Sequence, residues 1–306
     1  QQIVIEDLEE TEAVFEETQS YTRAEFLDEV YMEAENYDEL VELLRYKKNV
    51  ILQGPPGTGK TFAARRLAYS MIGAKAQEQV ELVQFHQSYG YEEFIMGYKP
   101  DGEGFVLQEG VFYRFCKKAE ADPGEDYYFI IDEINRGNLS KIFGELLMLI
   151  ENSYRGPEHE VKLAYRQEAF HVPENVYIIG TMNTADRSLA LIDYALRRRF
   201  SFYDMEPGFE TEGFRAYVEE LENGSLESLV HRLVALNDTI EQDVTLGKGF
   251  CIGHSYLCNH NGEGDTEAWL RGIVNYELVP MLHEYWFDDN DRAEQEAEQL
   301  RQVLDA

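Results

Sequence analysis

The chain has 306 residues, of which 27 are basic and 59 acidic, giving a formal net charge of −32. Its apolar content of 44% suffices for a globular fold with a substantial core and two domains, and no run of 18 or more apolar residues is available to span a membrane. So acidic a surface repels a phosphate backbone, which disfavours tight DNA binding by the module as a whole while leaving room for a locally basic pore or groove.

The chain starts at Gln1 with no secretory signal, and Cys116, Cys251 and Cys258 form no C-x-x-C pair. It therefore reads as a piece of a longer cytoplasmic protein. Residues 1–20 carry seven carboxylates and no basic residue, and read as an acidic linker or edge segment. Ser20-Tyr21-Thr22 followed by Glu25 signals a helix start, and apolar spacing predicts helices over 22–34 and 37–46.

Val50 to Gln53 reads as a short buried strand, and Gly54-Pro55-Pro56-Gly57-Thr58-Gly59-Lys60-Thr61 fits G-x-x-x-x-G-K-[ST], the phosphate-binding P-loop. A helix over 62–72 follows, with Phe62, Ala63, Leu67, Ala68 and Met71 on one face. Glycines expose backbone N–H groups to phosphate, and a helix N-terminus adds partial positive charge. Lys60 is placed to reach the β- and γ-phosphates and the Thr61 hydroxyl to ligate Mg²⁺.

A second strand is predicted over 80–85. Two short extended runs joined at Pro100-Asp101-Gly102-Glu103-Gly104 form a hairpin inserted before or within a helix, and 110–121 is an amphipathic helix. Tyr127 to Ile131 is an apolar strand ending in Asp132 and Glu133, the Walker B pattern: Asp132 for Mg²⁺, Glu133 to polarise the attacking water. A helix is expected over 138–151. Val176 to Asn183 is another buried strand; strand ends in a parallel sheet converge on the ligand crevice, so Asn183 can orient that water. A short helix over 189–196 leads into Arg197-Arg198-Arg199, either a solvated basic patch or, in an oligomeric NTPase, a finger acting on a neighbour. Ser201 to Asp204 closes the sheet, and Glu206-Pro207-Gly208 marks a domain boundary. Beyond it helices are predicted over 214–221, 226–242, 269–284 and 292–304, interrupted by the glycine-rich, non-helical stretch 246–256.

Together these residues resemble the McrB-type AAA+ NTPases, over roughly 21–290. The most specific stretch is Met182-Asn183-Thr184-Ala185-Asp186-Arg187-Ser188, similar to that family's M-N-T-x-D-R signature. Val83 to Tyr89, Asp132 to Asn138, Leu196 to Phe200 and Ile252 to Tyr256 look like the same group, and the 85–107 insert is similar to the hairpin of the AAA+ branch that holds MoxR and dynein-type motors. The resemblance implies an α/β AAA+ core over 21–206, a parallel sheet flanked by helices with a hairpin insert, and a small helical lid over 207–306. It implies a hexameric ring, Mg²⁺, hydrolysis of GTP (ATP being the alternative, since no N-K-x-D motif is present), and a separate McrC-like nuclease subunit. DNA would be met through a domain outside this chain or through the ring pore. By position Asn183 takes the sensor role, Asp186 and Arg187 belong to the signature, Arg197 or Arg198 is the finger, and Arg136 is a further interface residue. No G-x-x-R is present for a sensor-2 arginine; Gly253-His254-Ser255 stands in that region, so His254 is a candidate nucleotide contact. The competing function is a MoxR-like remodeller acting on protein.

Overall fold

A computed structural model describes residues 19–102, 104–186, 197–260, 262 and 264–305. The predicted helix over 189–196 and Arg187 lie outside the described residues, as does nearly all of the acidic opening segment.

Two helices open the chain, α1 (Arg23–Val30) and α2 (Ala34–Lys47). Thr22 and Glu25 form a reciprocal capping box at the start of α1. Strand β1 (Asn49–Gly54) runs through the P-loop into α3 (Lys60–Ile72), which ends at Gly73 in the left-handed region. Next come β2 (Val80–Gln84), the single turn α4 (Tyr91–Phe94), the antiparallel hairpin β3 (Met96–Asp101) and β4 (Gly104–Glu109), α5 (Val111–Ala121) and β5 (Tyr127–Asp132).

The helix expected over 138–151 is shorter. Segment α6 (Leu139–Phe143) stops because Gly144 adopts φ +51° and ψ −128°, and the chain continues as 3₁₀ turns. A two-residue hairpin that sequence patterning missed, β6 (Val161–Lys162) with β7 (Ala169–Phe170), precedes β8 (Val176–Asn183) and β9 (Ser201–Asp204).

The main sheet is parallel, in the order β2-β5-β8-β1-β9. Its central strands are apolar throughout because both faces are covered. Ile51, Phe129, Ile131 and Ile178 pack on the α5 and α6 side, while Val50, Leu52, Tyr128, Ile130, Tyr177 and Ile179 pack on α1, α2 and α3. Phe62, expected on the buried face of α3, is 43% exposed and lies under the Arg66 guanidinium. It falls one residue ahead of the buried row that Ala63, Ala64, Leu67 and Ala68 form.

After β9 a short linker leads to helices α7 (Glu212–Glu220), α8 (Gly224–Gln242), α9 (Thr266–Ile273), α10 (Val279–Tyr285) and α11 (Asn290–Val303). The predicted helix over 269–284 is α9 and α10 joined by a wider turn at Val274–Leu278. These helices enclose their own core around Leu229, Leu233, Leu270, Leu282 and Trp286. No helix among the described residues is long and apolar enough to cross a membrane.

Candidate functional site

Strands β1, β5 and β8 end side by side, and at those ends stand Gly54, Asp132 and Asn183. Parallel strands deliver their C-terminal residues to one crevice, so the site follows from the sheet. Gly57 and Gly59 hold positive φ values of 77° and 71°, which lets the loop curl around its own interior. Thr58 is buried and its Oγ1 donates to the Pro55 carbonyl at 3.0 Å.

Lys60 is 7% exposed. Its Nζ donates to the carbonyls of Gly54 at 3.0 Å and Pro55 at 2.8 Å, with Thr58 Oγ1 at 3.3 Å. Burial pushes its pKa down to about 8, against the opposing pull of the Glu133, Asp132 and Asp186 carboxylates. A buried ammonium satisfied only by neutral dipoles, two carbonyls and a hydroxyl, gains much from an anion placed beside it.

Asp132 Oδ1 accepts two hydroxyls, Thr61 Oγ1 at 2.6 Å and Thr181 Oγ1 at 2.6 Å. Thr181 Oγ1 also accepts the Glu133 backbone N–H at 3.2 Å. Glu133 has φ 52°, the left-handed region that a non-glycine residue rarely adopts, and strain of this kind persists where the surroundings enforce it. Its carboxylate accepts from Asn183 Nδ2 at 2.8 Å on one oxygen and from Arg136 Nε at 3.1 Å on the other. Arg136 Nη2 continues to Asp186 Oδ2 at 3.2 Å. Arg136, singled out as an interface residue, thus bonds to carboxylates of its own chain, with 45% of its side chain exposed.

Arg197 and Arg198 are exposed, and the Arg197 guanidinium lies 5.9 Å from the Phe202 ring centroid. Arg199 is buried, with Nε 3.9 Å from Glu151, and its carbonyl accepts from Asn49 Nδ2 at 3.0 Å. Ser201 pairs with Val50, so the arginine run sits beyond the start of β1, the strand end opposite Gly54.

The His254 ring is buried against Tyr31, Phe209 and Phe214, and Nδ1 accepts the Gly208 N–H at 2.8 Å. Burial pushes its pKa down to about 4. Its ring serves the linker; the contact with the P-loop comes from the backbone around it, Gly253 and Ser255. Thr181, Thr184 and this backbone contact escaped sequence reasoning. The one aliphatic hydroxyl in the run Val176 to Met182 was the signal for Thr181, and main-chain contacts leave none.

A glycine loop with a buried lysine, next to a hydroxyl–carboxylate pair and a bridged glutamate, defines a P-loop NTPase of the AAA type. Residues 49–200 match the family model for the AAA domain (dynein-related subfamily), and residues 228–294 that for the McrB alpha-helical lid domain. The chain belongs to the McrB-type AAA+ NTPases. It is 52% identical over 280 residues to the Type IV methyl-directed restriction enzyme EcoKMcrB subunit of Escherichia coli (strain K12), covering 89% of this chain and 61% of that protein. It is 26% identical to the Type II restriction enzyme BsuMI component YdiS of Bacillus subtilis (strain 168), covering 79% of this chain and 80% of that one. It is also 26% identical to the uncharacterized protein YehL of Escherichia coli (strain K12), over 63% of this chain and 50% of that one.

Proposed function

We propose that the chain is the ring-forming NTPase motor of a McrBC-like, modification-dependent DNA restriction system, hydrolysing GTP, with ATP the alternative. The observation that carries this is the set of bonds joining Thr61, Asp132, Glu133 and Asn183 at three adjacent strand ends above a P-loop. Lys60 would turn from the Gly54 and Pro55 carbonyls toward the β- and γ-phosphates. The Asn183–Glu133–Arg136 bridge would hold the carboxylate where it accepts a proton from the attacking water.

Thr61 and Asp132 fit Mg²⁺: a hydroxyl and a carboxylate oxygen already converge at 2.6 Å, and Mg²⁺ takes few protein oxygens, leaving its other positions to phosphate and water. Bound there, the ion would neutralise charge developing on the phosphates. Asn183 and Asp186 would act mainly in the transition state.

The ring would supply a further cation. The arginine run is separated from Gly54 by the length of β1, about 17 Å at ~3.3 Å per residue, so Arg197 or Arg198 would serve a neighbouring subunit's γ-phosphate. A McrC-like nuclease subunit and DNA complete the assembly, DNA entering through a domain outside this chain or through the pore. The name of the EcoKMcrB subunit, a protein of which this chain spans 61%, supports the restriction context. The test is phosphate release with GTP and with ATP, read beside the assembly mass with and without a slowly hydrolysed analogue. Triphosphate-dependent assembly with turnover of one nucleotide supports the proposal; a monomer indifferent to both overturns it.

A further inference from the structure

The loop over 249–256 meets the core at three places. Gly253 and Ser255 donate backbone N–H groups to Pro56 O at 2.9 Å and Gly57 O at 2.8 Å, both in the phosphate loop. The approach leaves no room for a side chain: a Cβ on Gly253 would stand 1.9 Å from the Gly57 carbonyl carbon. The second contact is His254 Nδ1 on the linker at Gly208.

The third is Thr184. Its Oγ1 donates to the Gly249 carbonyl at 2.8 Å, while its backbone N–H donates to the Gly54 carbonyl at 3.0 Å. That Gly54 oxygen is the one Lys60 Nζ also bonds. Thr184 stands in the turn between Asn183, which holds Glu133, and Asp186, which holds Arg136. Its β-branched side chain has few χ1 states, which suits a fixed strut better than a flexible contact.

Taking the site to hydrolyse a nucleoside triphosphate, we infer that Thr184 is a positioning residue that ties the Asn183–Asp186 turn to the phosphate loop on one side and to the helical domain on the other. Glu133 is then correctly oriented only while the 249–256 loop is seated. Pro56 and Gly57 are held separately, by the Gly253 and Ser255 N–H groups, so the cradle does not depend on the Thr184 hydroxyl. A closed helical domain and a competent catalytic glutamate become one state.

Three variants test this. Thr184→Val keeps the shape and removes the hydroxyl; Thr184→Ser keeps the hydroxyl; Gly249→Ala puts a Cβ about 3.2 Å from Thr184 Cβ and strains the same contact from the other side. For Thr184→Val, turnover at saturating triphosphate should fall about five- to tenfold, the scale of one lost hydrogen bond. Affinity for a slowly hydrolysed analogue should stay within about twofold. Amide hydrogen exchange over 246–257 should quicken. Thr184→Ser should restore both properties, and Gly249→Ala should change them as Thr184→Val does; if Thr184→Val does not fold, Gly249→Ala decides. Wild-type turnover and exchange in Thr184→Val would overturn the inference, as would affinity and turnover falling together, or Thr184→Ser as impaired as Thr184→Val. If the unaltered chain neither binds nor hydrolyses triphosphates, the reading of the site fails, and the exchange comparison alone judges the Thr184 tie.

Discussion

Raising the pH should loosen triphosphate binding in a way that reports on Lys60. Burial lowers the Lys60 pKa from 10.5 to about 8, a cost of roughly 3 kcal/mol for keeping the ammonium charged at neutral pH. Below pH 8 the folded and unfolded chains both carry this proton, so the cost is fully present. Between pH 8 and about 10.5 the folded chain gives it up first, and the cost disappears as pH rises. A triphosphate beside Nζ restores the charged form, so binding takes up a proton once the free chain has lost it. Affinity should then be flat up to pH 8 and fall about tenfold for each further unit, roughly tenfold between pH 7 and pH 9. Fluorescent triphosphate titrations at fixed ionic strength and saturating Mg²⁺ measure this. A flat affinity from pH 7 to pH 9 would refute the argument, because the buried lysine would then not be the phosphate's counter-charge.

Glu133→Gln keeps the bridge to Asn183 but removes the base, so hydrolysis should fall on the order of 100-fold or more while binding and assembly persist; wild-type turnover would place the base elsewhere. Arg197→Ala or Arg198→Ala, whichever removes the finger, should be inactive alone yet partly recover on mixing with a Lys60→Ala protein, since some interfaces then join an intact P-loop to intact arginines. Mixed rings verified by mass but dead at every ratio would contradict a finger acting in trans, once dilution of the unaltered chain with Lys60→Ala has shown that a ring tolerates a defective interface. Acid should weaken the seat of the helical domain. His254 is held neutral with a pKa near 4, below its unfolded value of 6.5, so stability is complete above pH 6.5 and drains as pH falls toward 4. The loss by pH 4 is roughly 2 to 3 kcal/mol, and thermal melts of His254→Gln should lack that part of the pH dependence.

The phosphate site was legible because its signals are local. A buried strand, a glycine loop and a helix follow one another between Asn49 and Ile72, and the apolar run before Asp132 marks a strand covered on both faces. What escaped depends on residues brought together by the sheet. Thr181 and Thr184 gain their roles only through partners far along the chain, Asp132 on the neighbouring strand β5 and Gly249 in the helical domain. Patterning carried the helix after Asn138 too far because Gly144 turns sharply, and only the structure reveals that a Cβ there would meet the Tyr91 ring at 3.0 Å. His254 is a candidate nucleotide contact only by standing in the region where a sensor-2 arginine would be, and its burial among aromatic rings is a tertiary fact.

The central claim is that this P-loop binds a nucleoside triphosphate through Lys60. The most direct test compares the dissociation constant of a fluorescent triphosphate for the unaltered chain and for Lys60→Ala, with GTP and ATP as competitors. The unaltered chain should bind, one or both competitors should displace the probe, and Lys60→Ala should bind far more weakly while melting as a folded protein. Equal affinity in the two proteins would contradict the claim.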